Sequence, residues 1–373
     1  MEFFNPVKLV KGTGVRSQVY SQCANKTVLI ICSEAALSRY EKDDEFFELF
    51  RSSNVSFEHD FGSNPSLTDI VKISEKHTVN SPNVIIGLGG GSAMDVAKIS
   101  AVSIPAFQRG ISFNELLSDV GLFDKIMPID CIQIPTTAGT GSEVTPFATV
   151  WDYLDQKKKS LSHPKMYAKS AYVDEELLKN LPLDIAISTG LDALNQAFES
   201  IWNKNATSLS LMYAKRAATL SLESLALLVG DETSSCLRDR LAEASLFAGI
   251  AISQTRTSIC HSISYPLTLK YNVPHGLACA YSMIAVYEFN FDFVKDQIKI
   301  IEEEINCDPL ERIQSIFEAL SVKQLIKNYI PRGAALYLID EMKTAGRFEN
   351  NIRDVNSVEL ISIIKKSDKD LYE

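Results

Sequence analysis

The sequence predicts an α/β domain followed by an all-helical domain. Three observations predict it. Buried-strand and amphipathic-helix patterns alternate through the first half of the chain. A glycine-rich turn, Gly89-Gly90-Gly91-Ser92, lies between an apolar strand and a helix start. After Pro182 the strand signal fades and helical periodicity takes over. The boundary is placed at Leu181-Pro182, giving domains 1–181 and 182–373.

The elements follow in order. Residues 27–32 (Thr-Val-Leu-Ile-Ile-Cys) read as a buried strand, residues 45–50 as a helix and residues 55–58 as a second strand. Leu67, Ile70, Val71 and Ile73 recur at helical spacing up to His77. Residues 84–86 are the third strand, with a helix after Ser92 to about residue 102, and residues 131–135 are the fourth strand. Such alternation argues for a parallel sheet with helices on both faces. Beyond Pro182, helices are expected over residues 185–203, 208–228, 236–251, 310–329, 334–344 and 358–365. Residues 7–10 form a short strand, one candidate for pairing across the expected homodimer.

Composition narrows the function classes. The chain has 373 residues, too many for one ordinary core, with 46% apolar and 23% charged residues, as in globular proteins. A net charge of −10 argues against general nucleic-acid binding, and Lys157-Lys158-Lys159 is read as a solvated turn. Seven dispersed cysteines without a Cys-x-x-Cys pair fit reduced thiols in a cytoplasm. Residues 1–6 lack the pattern of a signal peptide, and no apolar run approaches the roughly 20 residues of a membrane span.

Two loops and one set of side chains carry chemistry. The turn Gly89–Ser92 leaves backbone N–H groups free to hold a phosphate, and Ser92 is expected to cap the helix. It is neither G-x-G-x-x-G nor a Walker loop. The fourth strand runs into Pro135-Thr136-Thr137-Ala138-Gly139-Thr140-Gly141-Ser142-Glu143-Val144-Thr145, a hydroxyl- and glycine-rich exit where open parallel sheets bind ligands. Asp192 and Gln196 are four apart and share a helix face. His261 and His275 are separated by Pro266 and Pro274, so they share no straight helix, yet they can converge across a bend. Oxygen donors with two imidazoles suit a divalent metal such as Fe²⁺ or Zn²⁺.

The chain resembles the iron-dependent (group III) alcohol dehydrogenases, whose fold is shared with dehydroquinate synthase. Four landmarks carry the resemblance in order: Gly89-Gly90-Gly91-Ser92-x-x-Asp95-x-x-Lys98, Pro135-Thr136-Thr137-Ala138-Gly139-Thr140, Gly190-Leu191-Asp192-Ala193-Leu194 and Pro274-His275-Gly276. It implies an NAD(P)-binding first domain, a metal-holding helical domain and catalysis in the cleft between them. Gly89, Gly90, Gly91 and Ser92 would hold the pyrophosphate, with Asp95 alongside. Thr136, Thr137 and Thr145 would line the cofactor site, Lys159 would reach the ribose, and Asn64 would add a contact. Asp192, Gln196, His261 and His275 fall on the metal-ligand positions, with glutamine where the family usually has histidine. That departure weakens metal binding. Tyr265 stands where a second histidine is frequent, and is assigned a proton relay. Ser33, with Glu34 next, replaces the aspartate common in NAD-preferring members and tilts the expectation to NADPH.

The resemblance also implies the reaction, hydride transfer between a nicotinamide and a small aldehyde, with the metal polarising the carbonyl. Residues 191–203 and 159–164 look most like phosphonoacetaldehyde reductases, which make 2-hydroxyethylphosphonate. Arg256, five residues before His261, is a candidate bidentate partner for a phosphonate, and Lys270 is a weaker one. The alternatives are reduction of lactaldehyde or a semialdehyde, or a metal-deficient protein with a binding role.

Overall fold

The computed structural model describes residues 2–40, 53–155, 157–179, 181–228 and 234–373. The helix expected at residues 45–50 lies outside the described residues. The chain forms two compact units. One comprises Asn5–Thr137 and Ser142–Leu178, and the other comprises Lys179–Glu373 with Met1–Phe4 and Ala138–Gly141.

The first unit is built on strands β1 (Lys8–Gly12), β2 (Thr27–Cys32), β3 (Asn54–Glu58), β4 (Val84–Gly89), β5 (Asp130–Pro135), β6 (Phe147–Asp152), β7 (Lys157–Ser162) and β8 (Ser170–Asp174). Six of them form one sheet in the order β1-β8-β5-β4-β2-β3, every pair parallel. Its helices are α1 (Tyr20–Cys23), α2 (Glu34–Tyr40), α3 (Leu67–Lys76), α4 (Gly91–Phe107) and α5 (Phe113–Ser118). Successive strand residues feed opposite faces. Leu29, Ile31 and Ile85 pack with Ile70 of α3 and Val96 and Ile99 of α4. Val28, Ile30 and Ile86 pack with Cys23 of α1 and Ala36 of α2 on the other side. The near-continuous apolar runs of the sequence are therefore strands buried on both faces.

One expectation is corrected here. Lys157–Lys159 is no turn, because it opens β7 and pairs antiparallel with β6 through Val150↔Lys159 and Trp151↔Lys158. Its half-exposed lysines hide a ribbon that lies outside the main sheet. The strand near residues 7–10 pairs with β8 of the same chain, Lys8 against Ser170.

Strand order locates the ligand-binding end. The chain steps from β2 outward to β3, returns across β2 to β4, and continues to β5. The order reverses between β2 and β4. In such sheets a crevice opens beyond the strand C-termini at the reversal. Ser33 follows β2, the glycine turn follows β4, and Thr136-Thr137 follows β5, so all three sit at neighbouring exits.

The second unit is helical: α6 (Leu183–Ile201), α7 (Ser208–Leu228), α8 (Ser235–Thr255), α9 (Ile259–Tyr271), α10 (His275–Ile305), α11 (Pro309–Ala319), α12 (Val322–Lys327) and α13 (Ser357–Tyr372). The single helix expected over 310–329 is two, broken at Ser321, whose φ of 52° is left-handed. The helix expected over 334–344 is only a 3₁₀ turn, Ala334–Leu338, which buries Ala335 and Leu338 without continuing. Among the described residues no helix is long and apolar enough to cross a membrane.

A buried ionic latch holds the α/β unit around the loop after β5. Lys98 on α4 is 1% exposed. Its ammonium donates to the carbonyls of Ser142 (2.9 Å) and Phe147 and to the Thr145 hydroxyl (3.3 Å), and lies 3.2 Å from Asp95 Oδ1. Asp95 accepts from the Ser142 hydroxyl (2.6 Å) and the Thr149 N–H (2.8 Å). Glu143 is buried in the same segment. Burial pushes its carboxyl up to about 7, against a bond to its own backbone N–H and the Lys98 charge. The folded state thus takes up a proton between about pH 4.5 and about 7. Stability from this group is greatest below that window, falls as pH rises through it and levels off above, a change of about 3 kcal/mol. Urea denaturation at about pH 5 and about pH 8 tests this. Glu143→Gln is expected to flatten the difference by that amount.

Candidate metal centre and cofactor loops

Helix α6 presents Asp192, Gln196 and Glu199 at i, i+4 and i+7, one buried face. His261 lies in the first turn of α9, which starts after the Ser258 N-cap. Pro266 sits inside α9 without ending it. The bend comes instead at Asn272, left-handed at φ 53°, and at Pro274, the N-cap of α10. His275 is then the first residue of α10. Gly276 admits the close approach that follows, since a Cβ there would lie 1.7 Å from the Ser188 carbonyl oxygen of α6.

The turn brings the two imidazoles together, with ring centroids 5.2 Å apart at 73°. His261 Nε2 is 3.2 Å from Asp192 Oδ1. Cys279, one turn along α10 from His275, completes a quartet. One donor atom each from Asp192, His261, His275 and Cys279 lies within 4.8 Å of all the others. Sequence reasoning placed Asp192, His261 and His275 but missed Cys279. The signal was present in the i, i+4 spacing from His275.

Electrostatics bind the cluster. Burial raises the Asp192 carboxyl, but His261, the charge of His275 and the Gln196 amide outweigh it, so it lies below its usual value. Burial works against a charged His261, yet Cys279, Glu199 and Asp192 hold its pKa well above the ordinary imidazole value. Burial likewise opposes a Cys279 thiolate, while the two imidazoles bring its pKa down to about 7. Glu199, fully buried, accepts from the His261 backbone N–H (3.1 Å) and from its ring Nδ1. That bond turns Nε2 toward Asp192, the usual carboxylate–histidine support of a metal ligand. Sequence reasoning gave Glu199 no role. Its i+7 spacing from Asp192 was the available clue.

The residues fit a divalent cation. Asp192 Oδ1 and Gln196 Oε1 are buried and accept no well-formed hydrogen bond. Orphaned oxygens of this kind are costly unless something satisfies them, and a cation does so. Tyr265 is buried beside the site, its ring stacked on His275 at 6.1 Å and 14° and edge-on to His261 at 6.5 Å.

Arg256 is the C-cap of α8, exposed, with φ 62° and ψ 175°, a region nearly reserved for glycine. Its N–H reaches the Ile252 carbonyl, and its own carbonyl accepts from Asn203 (3.2 Å) and the Thr255 hydroxyl (2.9 Å). Desolvation, then the nearby Arg347, lowers the guanidinium pKa. Arg347 donates to the Gly346 carbonyl at 3.0 Å. A Cβ on Gly346 would lie 3.8 Å from Arg256 Nη1. Sequence reasoning did not find Arg347. Lys270 is exposed in the last turn of α9, nine residues past His261 and so roughly 13 Å along the helix axis.

The N-cap of α4 is Gly90, and no side chain caps it. The capping role expected of Ser92 is corrected, because Ser92 sits inside the first turn and its hydroxyl donates to the Ser63 carbonyl. The first-turn N–H groups are thereby left to a ligand. The Thr136 N–H donates to the Gly89 carbonyl (2.9 Å), and a Cβ on Gly90 would come within 3.3 Å of the Thr137 hydroxyl. Asn64 adjoins Ser63, and its carbonyl accepts from Tyr153 (3.1 Å). The Ser33 hydroxyl caps α2 through the Ala36 N–H. Other expected contacts have partners in the fold: Asp95 and Thr145 belong to the Lys98 latch, and Lys159 is held by Asp152 at 2.6 Å.

Residues 6–175 match the family model for iron-containing alcohol dehydrogenases, and residues 186–332 match that for the C-terminal part of the same family. A phosphonoacetaldehyde reductase of Streptomyces viridochromogenes is 36% identical over 211 residues, 56% of this chain and 53% of that protein, so the match spans about half of each. A 1-propanol dehydrogenase of Citrobacter freundii is 30% identical, covering 76% of this chain and 72% of its own. The crystal structure of a sulfoacetaldehyde reductase from Bifidobacterium kashiwanohense in complex with NAD⁺ shares the fold, with a TM-score of 0.85 at 24% identity and 98% of both chains covered. Because the donor set depends on the backbone approach at Gly276, Gly276→Ala should push α10 off α6. Its expected effects are a loss of about 1–3 kcal/mol in stability and a purified protein with markedly reduced metal content, read by denaturation and elemental analysis.

Proposed function

The chain belongs to the iron-containing alcohol dehydrogenases and is an oxidoreductase, and on that footing we propose that it reduces a small aldehyde bearing an anionic head group to the primary alcohol. Phosphonoacetaldehyde, giving 2-hydroxyethylphosphonate, is the first candidate, and the Streptomyces relative supports it. One observation carries the reading: Asp192, His261, His275 and Cys279 present donor atoms within 4.8 Å of one another, and Asp192 Oδ1 and the buried Gln196 Oε1 accept no well-formed hydrogen bond.

When bound, a reduced nicotinamide supplies hydride and a divalent cation polarises the carbonyl oxygen. Asp192, His261 and His275 would hold the cation, and Glu199 keeps the His261 ring in its orientation. The uncapped N–H groups at Gly91 and Ser92 would take the cofactor phosphates, with Thr136 and Thr137 beside them. Tyr265 Oη would deliver the proton that completes the alcohol. Arg256, with Arg347 adjoining, would bind the tetrahedral oxyanion of the substrate. Two cations brought together gain most from a doubly charged head group. NADPH is the expected donor, since Ser33 rather than an aspartate follows β2, although Glu34 turned inward would oppose it.

A panel of phosphonoacetaldehyde, sulfoacetaldehyde, lactaldehyde, succinic semialdehyde and propanal, each with NADH and NADPH and with Fe²⁺ or Zn²⁺ added, tests the proposal. The highest kcat/KM is expected for the phosphonate. A neutral aldehyde in first place would remove the anionic reading. Gln196, a weak neutral donor, favours a second reading, a binding protein without turnover, which no activity anywhere in the panel would establish. His275→Ala should abolish turnover while cofactor binding, followed by fluorescence, is retained. Arg256→Ala should raise KM about 30-fold for the phosphonate, the equivalent of roughly 2 kcal/mol, and hardly at all for propanal.

A further inference from the structure

The geometry points to Cys279 as a direct ligand of the cation, in place of the imidazole that Gln196 does not provide, giving an Asp192–His261–His275–Cys279 centre that prefers Zn²⁺ to Fe²⁺. This inference rests on the metal-dependent reading above and adds to it the ligand set and the choice of metal.

Three observations support it. Cys279 is fully buried, and its sulfur lies 3.9 Å from His275 Nε2. The pair Asp192 Oδ1–His261 Nε2 is 3.2 Å apart. Metal–ligand bonds of about 2.0–2.3 Å in a tetrahedron place neighbouring donors about 3.3–3.8 Å apart. The two measured edges bracket that range, so the quartet closes on a cation with small shifts of side chains. Cys279 and His275 also leave α10 one turn apart on the same face, a rigid base for two ligands.

Gln196 has another task. Its amide hydrogen-bonds Asp192 and helps to hold that carboxylate ionised. Its oxygen is neutral and hard, whereas a thiolate is charged and soft. Thiolate with imidazole and a single carboxylate is a donor set suited to zinc, and thiolate shifts selectivity away from ions that favour oxygen. On ligation the thiol proton leaves to solvent, and no redox change is involved.

Cobalt substitution tests the assignment without relying on turnover. Full-length protein stripped of metal and loaded with Co²⁺ should show an intense near-ultraviolet thiolate-to-cobalt charge-transfer band. Cys279→Ser should lose that band, and Gln196→Ala should keep it. In competition titrations Cys279→Ser should weaken Zn²⁺ binding by about 100-fold or more and Fe²⁺ binding much less. The serine variant also controls for cobalt at exposed Cys236. A wild-type protein that binds Co²⁺ without the band, or a band that survives Cys279→Ser, overturns the inference and leaves the metal-dependent reading standing. A wild-type protein that binds neither Co²⁺ nor Zn²⁺ overturns both.

Discussion

Gly276 stands where any side chain would collide with the Ser188 carbonyl, so α10 meets α6 backbone to backbone. That contact sets the distance between Asp192 on one helix and His275 and Cys279 on the other. Nearby glycines serve the same end. A Cβ on Gly190 would meet Leu225 at 2.8 Å, and one on Gly141 would come within 2.4 Å of the Gly249 Cα. These glycines act through the close approach they allow. They let helices and a loop approach closely enough for short polar side chains to converge.

Two buried polar networks sit in this chain, and they differ in a telling way. Around Lys98 the described donors and acceptors meet one another: carbonyls of Ser142 and Phe147, the Thr145 hydroxyl, and Asp95, which is itself satisfied by Ser142 and Thr149. Such a network is complete and structural. Around Asp192 and Gln196 the account does not close, because Gln196 Oε1 accepts no hydrogen bond and Asp192 Oδ1 has only His261 Nε2, at 3.2 Å and without a well-formed bond. The cost of burying them is acceptable only if a ligand supplies what the protein withholds. Completeness, rather than charge alone, separates the two.

Much of this was legible in the sequence, for stated reasons. Strands β2, β4 and β5 were visible because parallel strands buried on both faces are largely apolar runs, and the edge strand β3 was visible through Val55 and Phe57. Strand β7 was not, because Lys157-Lys158-Lys159 is a polar ribbon, and β8 is a short strand whose alternation spans only five residues. The helix break at Ser321 carries no Gly or Pro to announce it. At the site, Asp192, His261 and His275 stood out by residue type and motif. Cys279 and Glu199 did not, since each is ordinary in a helix and acquires meaning only when three helices converge. Arg347 lies 91 positions beyond Arg256, a distance over which no local pattern speaks.

The backbone at Arg256 carries a last implication. A non-glycine residue at φ 62° and ψ 175° holds about 1–3 kcal/mol of strain, and glycine would relieve it. The chain keeps arginine there, with hydrogen bonds from Asn203 and Thr255 enforcing the conformation. Fold and chemistry thus compete at one position. Glycine there would give a more thermostable protein that lacks the guanidinium proposed above for an anionic head group.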